Sequence, residues 1–68
     1  MNAYKRFYRI AFSFHEKYAP YPKTAEAWEN AIDEMGRLSA QEKSEFLNDL
    51  LFSIYREMAA RYRANKNQ

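Results

Sequence analysis

"AFSFHEKYAPYPKT" spans Ala11–Thr24 and holds the chain's only histidine and both of its prolines. Two readings compete: a ring-lined site, or the end of one helix and the turn before the next. Backbone chemistry favours the second. The ring of Pro20 clashes with an α conformation at Ala19, so a helix entering from the left stops there. "APYP" is then a short extended connector. Thr24 is a good N-cap, and Glu26 follows in a first turn where the helix dipole favours an acid.

Working outward, the upstream segment is amphipathic. At 100° per residue, Tyr4, Phe7, Tyr8, Ala11, Phe14 and Tyr18 fall on one side, and Lys5, Arg6, Arg9, Ser13, Glu16 and Lys17 on the other. Ile10 and Phe12 widen the apolar arc to roughly 200°, about twice what a surface helix needs, so this helix should meet two neighbours. It is expected over about residues 2–18.

Downstream, a second helix is expected over about 24–36. Its stripe is Ala25, Trp28, Ile32 and Met35, its wet face Glu26, Glu29, Asp33 and Glu34, and Gly36 is its C-terminal stop. "SAQE" (Ser39–Glu42) then reads as a capping box opening a third helix over about 39–63, with 64–68 a frayed tail. Leu47, Leu50, Leu51, Ile54, Met58 and Tyr62 give this helix a long stripe. Its acids lead and its arginines follow, as the dipole prefers. At 1.5 Å per residue it reaches roughly 36 Å, so its last turns are expected to project beyond the others. Short connectors favour antiparallel neighbours, hence an all-α, up-down-up three-helix bundle with a long third helix. The basic start of helix one (Lys5, Arg6, Arg9) should lie near the acidic start of helix three (Glu42, Glu45, Asp49).

Composition sets limits. A 68-residue chain is one domain at most and buries only about 60% of its unfolded surface. With no Cys, disulfides and thiolate metal sites are excluded, and one His holds no transition metal without carboxylate help. Dense aromatic packing or self-association must stabilise it, and six tyrosines, five phenylalanines and a tryptophan suit that. No apolar run approaches the ~18 residues of a membrane span, and the N-terminus lacks a signal peptide's apolar stretch. A soluble, cytoplasmic protein is expected. The net charge of +2 is too mild to announce a nucleic-acid binder.

Candidate chemistry is sparse. "HEKYA" lacks the second His of a metalloprotease helix, so His15 reads as a packing residue. No Gly-rich loop cradles phosphate, and an exposed carboxylate strip makes a poor acid–base pair. No enzyme activity, cofactor or small-molecule ligand is expected. Phe52 points away from the main stripe, alongside Tyr55 and Ala59. Either a second helix covers that side, or Phe52, Tyr55, Ala59, Tyr62 and, on helix one, Phe12 form a seam for a protein partner or a second copy. The alternative is a nucleic-acid accessory factor using Arg56, Arg61, Arg63 and Lys66. Against it, the start of helix three carries Glu42, Glu45 and Asp49, which repel phosphate.

Three segments, "FYRIAFSFHEKYAPYPKTAEAWENAIDEMGRL", "FLNDLLFSIY" and "REMAARY", carry a resemblance. Together they resemble small all-helical proteins of phages and conjugative elements from Gram-positive gut bacteria. The shared positions, Phe14, His15, Tyr18, Trp28, Met35 and Leu50 among them, describe a core and not a chemistry. The resemblance implies a mobile-element accessory protein acting on a host or element protein, and it brings no catalytic or binding residue with it.

Overall fold

The structure, a computed structural model, describes residues 3–66. It contains α1 (Ala3–Tyr18), α2 (Ala25–Glu42) and α3 (Glu45–Lys66). The ends fix the topology. Tyr4 meets Phe46 near the starts of α1 and α3, with ring centroids 4.9 Å apart, and Tyr21 meets Tyr62 at the other end at 5.6 Å. Arg6, early in α1, pairs with Glu42 at the end of α2 at 2.8 Å. α1 and α3 are therefore parallel and α2 antiparallel, the up-down-up bundle expected, with α3 the longest helix.

The core is a line of large side chains, Phe14, Leu47, Leu51 and Met58, closed by Ala11 and Ala31. Each large one contributes roughly 1.5–3 kcal/mol by leaving water. Ring edges tie α3 to its neighbours: Phe46 sits under Tyr4, Phe7 and Tyr8, while Tyr55 and Tyr62 hold Trp28. Polar side chains instead stitch α1 to α2, through Arg6–Glu42 at one end and Lys17–Glu34 at the other.

The first junction follows its local chemistry. α1 stops at Tyr18, and the Thr24 hydroxyl accepts the Ala27 amide at 3.0 Å. The second junction corrects the sequence reading. α2 does not stop at Gly36 but continues to Glu42, and "SAQE" lies inside it. Lys43 closes the helix in the left-handed conformation (φ 50°), its amide bonded to the Ser39 carbonyl. Ser44 caps α3, accepting from the Leu47 amide at 3.2 Å. Leu38 is the reason. It packs against the core, and a turn at Gly36 would remove it.

Two further expectations change with that boundary. Once Leu38 belongs to α2, its inward line is Trp28, Ala31, Met35 and Leu38, and Ile32 turns out to 50% exposure. α3 begins six residues later than expected and runs on to Lys66, so residues 64–66 are helical. Asn67 and Gln68 of the expected tail lie outside the described residues, as does Asn2. The last turns of α3 are exposed over residues 63–66, and Tyr21 of the connector touches them, its ring against Tyr62 and its hydroxyl accepting from the Asn65 amide group.

Candidate functional site

The structure divides the expected seam. Tyr55 and Tyr62 are half-buried, each edge-on to Trp28 at 5.7 Å, and Ala59 is half-buried between them in sequence. The two tyrosines help hold α2. Phe52 is 54% exposed and Phe12 65% exposed. The two do not share a face. Phe12 stands one turn beyond Tyr8, on the flank of α1 that meets Phe46 of α3. Phe52 stands one turn beyond Asn48, on the flank of α3 that meets α2.

That second flank carries a feature the sequence reading missed. A shallow groove runs between α2 and α3, lined by Ile32, Met35, Gly36, Ser39, Asn48 and Leu51. Ile32 walls it on α2, Asn48 and Leu51 line it on α3, and Phe52 lies one helical turn along α3 from Asn48. A side chain built on Gly36 would meet nothing within 4 Å, so no neighbour among the described residues needs a glycine there. Yet a glycine inside a helix is about 1 kcal/mol worse than alanine. The signal for this groove was available in Leu38: counting it into the helix rotates the apolar line from Ile32 to Ala31.

The cations named for a nucleic-acid surface are mostly engaged. Arg61 pairs with Glu57 one turn away at 2.7 Å. The Arg56 guanidinium lies 5.2 Å from the Phe52 ring centre, and the Lys66 ammonium 5.7 Å from that of Tyr62. Arg63 is exposed and has no such partner among the described residues. Arg56 and Arg63 share a face at a spacing of seven, and Arg61 does not join them.

At the α1–α2 corner, an open polar cleft gathers Lys17, Tyr18, Lys23, Asp33, Glu34 and Arg37. Glu34, read from sequence as part of a wet face, is turned inward here. Its carboxylate accepts from the Tyr18 hydroxyl at 2.9 Å and from the Lys17 ammonium at 3.1 Å. Partial burial and the bond to Glu34 push the Tyr18 hydroxyl up from 10.0. The same carboxylate, by hydrogen bond and then by charge, pushes the Lys17 ammonium up from 10.5. Both shifts lead away from neutral pH, where a general acid or base works best. His15 is half-buried on α1 and pairs with no acid among the described residues. No three of the described His, Asp and Glu residues gather as a metal site, and no described helix is long and apolar enough to cross a membrane.

No family model, no curated protein and no solved structure matches this chain.

Proposed function

We propose that this chain is a non-enzymatic protein-interaction module, acting in the cytoplasm as an accessory protein of a mobile element. The observation that carries the reading is the α2–α3 groove: an open helix-interior glycine beside the exposed Ile32, with the exposed Phe52 one turn along α3 from the lining residue Asn48. An isolated apolar residue at a surface is ordinary. An exposed apolar side chain beside a gap over bare backbone, with a second one a turn away, is what an incoming apolar side chain fits. The gap over Gly36 admits one such knob from a partner helix, with Phe52 and Ile32 packing on its sides. The Arg56 guanidinium lies over the Phe52 ring and leaves the ring's other face to a partner. The resemblance to mobile-element proteins agrees with such a role, since it describes shared core positions and no chemistry.

Photo-crosslinking tests this. A benzophenone side chain is placed at Phe52, or at Arg63 as a control, and the chain is irradiated in extract of its source cell. The expected result is one discrete adduct from position 52, absent from position 63 and abolished by Gly36→Leu with the helix content unchanged. No adduct from position 52, or one indifferent to Gly36→Leu, overturns the groove as the working face.

A further inference from the structure

We propose that a second copy of this chain docks on α1, antiparallel and about a two-fold axis, through Tyr8 and Phe12. The inference rests on the interaction reading above but uses a different face. On α1, Tyr4, Tyr8, Phe12 and Glu16 recur every four residues along one exposed line, with Tyr4 and Tyr8 each 57% and Phe12 65% exposed. Phe46 holds the two tyrosine rings edge-on at 4.9 and 5.5 Å, so they are set in place before any partner arrives. Ordering them on binding is correspondingly cheap.

The charges beside this line identify the occupant. Lys5 and Arg9 lie at its N-terminal half and Glu16 at its C-terminal end. All three are exposed, and none has an ion-pair partner among the described residues. Within one chain Lys5 and Glu16 are eleven residues apart, about 16 Å along the helix, and cannot meet. A two-fold partner must present the same patch in reverse order. Reversed about the level of Ile10, the line sets Tyr8 opposite Phe12 of the second copy and Phe12 opposite its Tyr8. Lys5 then falls beside Glu16 of the second copy, and Glu16 beside its Lys5. Ring meets ring and cation meets anion twice over. A pattern complementary to its own reversal fits another copy better than it fits an arbitrary apolar surface. One helix face is a small interface, so the dimer is expected in the micromolar range and not as a permanent assembly.

Sedimentation equilibrium from about 5 µM to about 1 mM decides it, since that range brackets micromolar dissociation. The wild-type chain should pass from monomer to dimer. Phe12→Ser, at an exposed position the bundle does not use, should weaken the dimer about tenfold or more. Lys5→Glu and Glu16→Lys should each weaken it about three- to tenfold, and the double reversal should restore it to within about twofold. A monomer throughout, a dimer indifferent to the reversals, or one lost with Phe52→Ser in place of Phe12→Ser overturns the proposal. The interaction reading fails separately: it stands if position 52 still crosslinks in the Phe12→Ser monomer, and falls if position 52 crosslinks nothing even where the dimer forms.

Discussion

Thr24 and Ser44 do the same work at the heads of α2 and α3, each hydroxyl accepting an amide three residues on, at 3.0 and 3.2 Å. What comes before them differs. Ahead of Thr24, a proline stands two residues past the end of α1, and helix end, connector and cap all appear where their residue types belong. Ahead of Ser44, residue types and conformations are exchanged. The glycine sits inside a helix, and the one described residue with positive φ is a lysine. Local preference decides the first junction because nothing there opposes it. At the second, the burial of Leu38 outweighs a glycine in the helix and a lysine in a left-handed cap, each worth about 1 kcal/mol. A few kcal/mol of core packing overrules two local signals together.

The sharpest way to break this comparison is to remove its cause. Leu38→Ala should destabilise the chain by about 2 kcal/mol, the low end for a partly buried leucine, in urea unfolding followed by circular dichroism. A change under about 0.5 kcal/mol would mean that Leu38 does not set the boundary. Next in size, Gly36→Ala and Lys43→Gly should each stabilise by about 1 kcal/mol, and together by about 2 kcal/mol, because each restores the residue its backbone prefers. If Lys43→Gly gave nothing, the left-handed closure of α2 would be in doubt. The smallest effect belongs to the α1–α2 corner. Both Tyr18 and Lys17 titrate above their ordinary values of 10.0 and 10.5, because the folded state favours their protonated forms. Their contribution is therefore complete below about pH 10 and is lost as the pH rises through the raised values. Tyr18→Phe should flatten the fall in stability above that pH and, by removing the bond to Glu34, lower neutral stability by about 0.5 kcal/mol.

The three helices, their order and most of the core were legible because period and proline act locally. Phe14, Leu47, Leu51 and Met58 lie on the lines their spacing draws. The second boundary was not legible, since Gly36 and "SAQE" both spell a stop that tertiary packing cancels. That error then hid the groove: with α2 cut short, Ile32 counted as core and Ala31 did not. Tyr4 and Tyr8 failed for a different reason. Helical spacing assigns a side of α1, but which edge of a wide arc stays wet depends on where Phe46 stands. The inward turn of Glu34 likewise depends on Tyr18, sixteen residues away.

Trp28 is the only tryptophan, and both of its ring neighbours, Tyr55 and Tyr62, lie on α3. The molecule thus carries its own optical gauge, and the gauge watches a single event. Were α2 to lift from α3, the indole would meet water and its emission would shift to the red, while α1 and α3 could stay paired without any change in that signal. Comparing the fluorescence and far-ultraviolet midpoints therefore asks one question of the bundle: whether α2 leaves first, or all three helices let go together.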